Sequence, residues 1–280
     1  MRLFRTSRGL AVADGDELAL LDLPHPDLAA VFRDDPAAID RASVTGRIPL
    51  ADATLLAPVA RPGKIVIAGA NYRDHVLEAG LPMPSAPVFL IAESASVTGP
   101  GAPIVLPAEC PDQVDYEGEL AVVVGRAGRH IPAGQAWRYL AGITVANDVS
   151  ARDLQLASMP GGRLVDLDGV RRAKTFPGFK PIGPCLVTLD DEVGPLDLAI
   201  RTTVNGEVRQ QGRTGEMLFG VPAIVEYVSA RVGLEIGDVI LTGTPSGVAL
   251  ASGKYLRPGD TVTVEIDGIG ALPNTVVLAP

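Results

Sequence analysis

Glu117 and Glu119 stand two residues apart in Asp115-Tyr116-Glu117-Gly118-Glu119-Leu120, at the head of a run that reads as a β-strand from Tyr116 to Val124. Residues i and i+2 of a strand point to one face, so the two carboxylates project together. A third acid, Asp148, lies in a second apolar run, Gly142-Ile143-Thr144-Val145-Ala146-Asn147-Asp148-Val149. Carboxylates crowded where water is scarce need a cation to offset their repulsion. An all-oxygen donor set of this kind suits a hard divalent ion such as Mg²⁺ or Mn²⁺. On spacing alone the alternative stays open, namely a solvated strand face that happens to carry two glutamates.

A second group is Asp74, His75 and Glu78, which share one side of a short helix at i+3 and i+4 spacing. Imidazole titrates near physiological pH, which makes His75 the candidate general base. Glu78 is placed to orient its ring and stabilise the protonated form. The plainer alternative is a surface His–Glu pair worth a few tenths of a kcal/mol. Lysine is scarce: only Lys64, Lys174, Lys180 and Lys254 occur, and Lys174 and Lys180 fall within one short stretch.

These residues need a scaffold, and the composition supplies one. The chain has 280 residues, 47% of them apolar and 20% charged, with 31 Gly and 24 Pro, the profile of a compact, loop-rich enzyme. A net charge of −9 argues against a nucleic-acid partner, which needs basic surface. No apolar stretch is long enough to span a membrane. Met1-Arg2-Leu3-Phe4-Arg5-Thr6 has no apolar signal core. Cys110 and Cys185 lack metal-ligand spacing, which fits a reducing cytoplasm.

Residues 1–60 alternate short apolar runs with turns, include a helix around Pro26 to Arg33, and form a small N-terminal α/β domain. The Pro-rich segment Leu56 to Gly63 is a linker, and 61–280 form the second domain. Within it, strands are expected at Lys64 to Ala70, Ala121 to Gly125, Ile143 to Ala146, Cys185 to Thr188, Leu198 to Val204, Val239 to Leu241 and Thr261 to Ile266. Asn205-Gly206 marks a tight hairpin. Helices are expected at Ala133 to Tyr139, Ala151 to Ala157 and Pro222 to Val232, and Met159 to Gly169 reads as a Gly- and Asp-rich lid. Many strands and few helices without βαβ alternation predict a mixed, strand-dominated α/β fold.

Six segments in order resemble the fumarylacetoacetate hydrolase family: Asn71-Tyr72-Arg73-Asp74-His75, Asp115 to Leu120, Asn147-Asp148-Val149-Ser150-Ala151-Arg152-Asp153, Val204-Asn205-Gly206-Glu207, Leu241 to Val248 and Pro258-Gly259-Asp260. The resemblance implies a twisted β roll like that family's C-terminal domain, in a homodimer. It implies Mg²⁺ or Mn²⁺ held by Glu117, Glu119 and Asp148, with Ca²⁺ a crystallographic substitute. Catalysis is then assigned to His75, Glu78 and Lys174, the last carrying positive charge to a developing enolate. Gln155, Arg152 and Thr244 are assigned to substrate, although Arg152 could equally pair with a carboxylate for structural reasons.

The chain departs from the family pattern where a pocket lysine becomes Ile91, where a tryptophan becomes Val170, and where Pro177 follows Phe176 in place of aspartate. A less cationic pocket implies a longer or less charged substrate tail. The expected activity is metal-dependent hydrolysis of a C–C bond in a 2,4-dioxo acid, such as an acylpyruvate or fumarylpyruvate, through a metal-stabilised enolate. Decarboxylation of an oxaloacetate-like 2-oxo acid and isomerisation or tautomerisation of a 2-hydroxy-dienedioate use the same intermediate. A non-catalytic metal-binding scaffold is the reading from a different class.

Overall fold

The computed structural model describes residues 1–189 and 196–279. Its strands are β1 (Arg2–Thr6), β2 (Gly9–Asp14), β3 (Glu17–Leu21), β4 (Val44–Pro49), β5 (Leu55–Leu56), β6 (Ile65–Gly69), β7 (Val88–Ala92), β8 (Val97–Thr98), β9 (Ile104–Leu106) and β10 (Val114–Asp115). There follow β11 (Gly118–Val124), β12 (Leu140–Asn147), β13 (Ser150–Ala151), β14 (Lys180–Thr188), β15 (Ala199–Val204), β16 (Glu207–Arg213), β17 (Val239–Leu241), β18 (Thr261–Ile266) and β19 (Gly270–Leu278). The helices are α1 (Leu28–Asp34), α2 (Ala38–Arg41), α3 (Arg73–Glu78), α4 (Arg152–Ala157), α5 (Leu167–Ala173), α6 (Val221–Ser229) and α7 (Ala249–Ser252).

The expected strand-dominated α/β architecture is what forms. One large sheet runs β4-β3-β2-β1-β14-β12-β11-β17-β6-β7, and a second runs β16-β15-β18-β19-β9. Every residue of β11 is buried, which explains its unbroken apolar sequence after Glu119. Its Leu120, Val122 and Val124 enter one apolar cluster with Val145 and Ile240. Ala121 and Val123 enter another, with Ile65, Ile67 and Leu241. A third cluster, around Tyr116, Val149, Phe179, Leu256 and Val262, underlies the end of the sheet where the acids gather.

The first sixty residues are hydrogen-bonded into the large sheet, Arg2 opposite Val187 and Leu3 opposite Leu186. The Asn205-Gly206 hairpin forms as expected, both residues taking positive φ. Three local details go beyond the expectation. The strand read from Cys185 begins at Lys180, because Lys180 and Pro181 pair in parallel with Val97 and Thr98, a partner that two prolines in the segment conceal. Ala133–Tyr139 is helical as expected, in the 3₁₀ form. Part of the Met159–Gly169 segment is the start of α5, where the Asp166 side chain accepts from the Gly169 N–H at 3.0 Å and caps the helix.

Candidate metal and proton-transfer centre

Antiparallel pairing of β11 with β12 sets Gly118 opposite Asn147, which brings Glu117 and Glu119 beside Asp148. Two bonds lock this corner. The Asp148 N–H donates to the Glu117 carbonyl at 2.8 Å, and the Glu117 N–H donates to Asn147 Oδ1 at 3.0 Å. One carboxylate oxygen from each of Glu117, Glu119 and Asp148 lies within 4.8 Å of the others. All three residues are buried, so the solvated strand face is ruled out.

Three cations surround the acids. Lys174, just past the C-terminus of α5, donates to Glu117 Oε2 at 2.7 Å, Asp148 Oδ2 at 2.5 Å and Ser150 Oγ at 2.9 Å. Arg152, opening α4, donates to Glu117 Oε1 at 2.5 Å, Asp115 Oδ2 at 2.7 Å and Gln155 Oε1 at 2.7 Å. Lys180 Nζ lies 2.9 Å from Asp148 Oδ1, an ionic approach rather than a directed hydrogen bond. It also donates to the carbonyls of Val149 and Phe179, each at 3.1 Å, and to that of Lys174.

The electrostatics divide the glutamates. Burial pushes Glu117 up, but Arg152, Lys174 and His75 outweigh it and hold its carboxyl well below the usual range. Burial pushes Glu119 well above that range, and Asp148 and Glu117 add to the rise. Burial works against the Lys174 charge, yet Asp148 and Glu117 raise its value overall. Burial draws Lys180 below its ordinary value while Asp148 opposes the fall.

The shift at Glu119 makes stability depend on pH. A carboxyl raised in the folded state favours folding below its ordinary value of 4.5, and that contribution is lost as pH rises through the raised value. Glu117 acts oppositely and below 4.5. Metal-free protein therefore loses thermal stability relative to a Glu119→Gln variant as pH climbs from 4.5 through the raised value. Melting curves in a chelator check this, and parallel pH profiles for the two proteins would count against it.

The residues fit a divalent ion. The donors are all carboxylate oxygens and they converge in a buried place.

The loop after β17 fastens the histidine helix to this centre. The Gly243 N–H donates to Glu119 Oε2 at 2.6 Å. Gly243 has φ +97°, and a Cβ there would stand 2.7 Å from Asn71 Cβ, so only glycine lets the peptide reach Glu119. Gly247, at φ +100°, donates its N–H to both Glu78 oxygens at 3.0 Å. Asp74 Oδ2 accepts from the Ser246 hydroxyl at 2.7 Å and its N–H at 3.1 Å. The Asn71 amide donates to the carbonyls of Thr242 at 2.7 Å and Phe219 at 3.0 Å.

His75 Nδ1 is buried, has no hydrogen-bond partner among the described residues, and lies 3.7 Å from Glu78 Oε2. Glu78 is thus near the ring but bonded to Gly247. The Thr244 hydroxyl donates to the Gly118 carbonyl at 2.9 Å and accepts from Gln210 Nε2 at 2.7 Å, so it holds the Glu117–Glu119 strand. Gln210 Oε1 in turn accepts from the Gly118 N–H at 2.9 Å.

All nine residues singled out from the sequence thus fall in one neighbourhood. Sequence reasoning missed Ser150, Lys180 as a partner of Asp148, and Gln210. Of these only Lys180 carried a signal, as one of four lysines. Ile91 is half-buried and pairs with Val66 in the sheet, and Val170 is buried on α5.

The fold and site together define a class, a buried oxygen-donor centre on a β framework with a histidine helix beside it. The chain belongs to the fumarylacetoacetate (FAA) hydrolase family, whose C-terminal domain matches residues 64–277. It is 43% identical over 232 residues to the mitochondrial oxaloacetate tautomerase FAHD2A of Homo sapiens, an alignment covering 82% of this chain and 71% of that one. The crystal structure of 5-carboxymethyl-2-hydroxymuconate delta-isomerase from Mycobacterium smegmatis is similar over 100% of both chains, with TM-score 0.77 and 38% identity. Maleylpyruvate hydrolase from Sphingobium sp. SYK-6, solved with manganese(II) and pyruvate, matches over 100% of both chains with TM-score 0.78 and 29% identity.

Proposed function

We propose that this chain catalyses keto–enol proton transfer on a 2-oxo dicarboxylic acid, using Mg²⁺ or Mn²⁺ held by Glu117, Glu119 and Asp148. The observation that carries this is the His75 imidazole, its Nδ1 unpartnered, beside the acids and 3.7 Å from Glu78. A divalent ion held by these three acids would supply Lewis-acid polarisation to the 2-oxo acid. His75 takes the proton from the carbon next to the 2-oxo group, and the enolate oxygen gains a proton from solvent to give the enol; in the reverse direction that oxygen loses its proton to solvent and His75 returns one to carbon. Glu78 stabilises the imidazolium across a short gap, and Lys174 adds positive charge where the enolate develops. Arg152 keeps Glu117 charged and sets the orientation of Gln155, whose amide NH₂ is left to meet the substrate. Thr244 acts through the strand it holds.

The relative that is an oxaloacetate tautomerase and the similar delta-isomerase support proton transfer. Hydrolysis of an acylpyruvate is the second reading, favoured by the similarity to maleylpyruvate hydrolase. It asks Glu78 to bond the ring so that His75 can activate water, and here Glu78 is engaged by Gly247. The homodimer and the cytoplasmic location belong to this proposal. No helix among the described residues is long and apolar enough to cross a membrane.

Oxaloacetate, an acylpyruvate and an unsaturated hydroxy-diacid, each offered to Mn²⁺-loaded protein in D₂O, separate the outcomes. Deuterium entry at C3 of oxaloacetate with the carbon skeleton intact is expected. Pyruvate with CO₂ would transfer the assignment to decarboxylation, and cleavage of the acylpyruvate to hydrolysis. Metal binding with no turnover of any substrate would leave the scaffold.

A further inference from the structure

Asp148 is covered by a lysine on each carboxylate oxygen: Lys174 at Oδ2, 2.5 Å away, and Lys180 at Oδ1, 2.9 Å away. The two lysines differ in kind. Lys174 touches two of the acids and sits at the edge of the site, whereas Lys180 touches only Asp148 and is completely buried. The remaining partners of Lys180 Nζ are the carbonyls of Val149, Lys174 and Phe179. All four partners are acceptors. A neutral amine has two N–H groups and would turn its lone pair onto an oxygen, so the surroundings select the ammonium. Full burial keeps it from substrate.

We propose that Lys180 is a built-in counter-ion of Asp148 that holds down the centre's affinity for its divalent ion, an inference that rests on the metal reading above. A fixed positive charge against a ligand carboxylate repels an incoming dication, and in a buried place the repulsion is little screened. The same charge keeps three crowded carboxylates tolerable when no ion is bound. The centre thereby trades binding strength for a pocket that is already formed when empty.

The test is calorimetric titration of Mn²⁺ into chelator-stripped wild type, Lys180→Gln and Lys180→Met at one pH and ionic strength. Glutamine removes the charge but retains two N–H donors for the backbone carbonyls. Methionine removes both and preserves volume. Mn²⁺ binding about tenfold tighter or more in Lys180→Gln is expected, given the closeness of the lost charge. Unchanged or weaker binding in Lys180→Gln would overturn the counter-ion role and leave Lys180 a backbone clamp. The Lys180→Met protein, refolded in Mn²⁺ and then stripped, gives the same comparison if the glutamine variant does not fold. Wild type that binds no Mn²⁺ at all overturns the metal reading together with this one.

Discussion

Replacing His75 with alanine lowers the rate of C3 proton exchange by about 10² to 10⁴-fold, the range a positioned general base contributes. No other imidazole is available, since the remaining histidines are His25, paired with Asp34, and His130, which is exposed. Glu78 cannot replace it in place, because both its oxygens accept from Gly247. The substitution leaves α3 docked, as its anchors are Asn71, Asp74 and Glu78. Mn²⁺ affinity and the melting temperature should therefore stay near wild type while kcat falls. Steady-state kinetics beside a binding titration read the two apart. An undiminished exchange rate would remove His75 from the mechanism.

Lys174→Met is expected to cost metal-free protein about 3–5 kcal/mol of folding stability, the usual penalty for removing one partner from a buried ionic group. Lys174 is the one cation that bridges Glu117 and Asp148 among the described residues, and its loss leaves those carboxylates facing each other. Saturating Mn²⁺ restores most of the loss, because an ion that binds only the folded state stabilises it by mass action. Urea unfolding in chelator and in Mn²⁺ measures both. Equal midpoints for wild type and variant in chelator would show that the bridge contributes nothing to the empty centre.

How much of this was visible in the chain depends on how far each partner lies along it. Glu117 and Glu119 were legible because a two-residue spacing carries their common direction. Asp148 was legible as an acid in an apolar run, and the resemblance joined it to the pair. The role of Arg152 was only half legible. Its substrate assignment came with the resemblance, but the guanidinium is spent on Asp115, Glu117 and Gln155. Thr244 was read near the centre, while its hydroxyl bonds to Gly118 and Gln210 were not legible, since Gln210 comes from a hairpin strand whose local sequence says nothing of loops. Lys180 was noticed as a lysine, yet its ionic contact with Asp148 depends on how β14 packs. The alternation of the first sixty residues announced strands, but their place in the large sheet rests on Leu186 and Val187, far along the chain.

Gly243 and Gly247 belong to one short loop, and they hold different things. Gly243 grips Glu119 within the acid cluster, and Gly247 grips the helix that carries the imidazole. The acid cluster and the helix bearing His75 therefore hang from one backbone support, so a substitution that reshapes this loop disturbs both together.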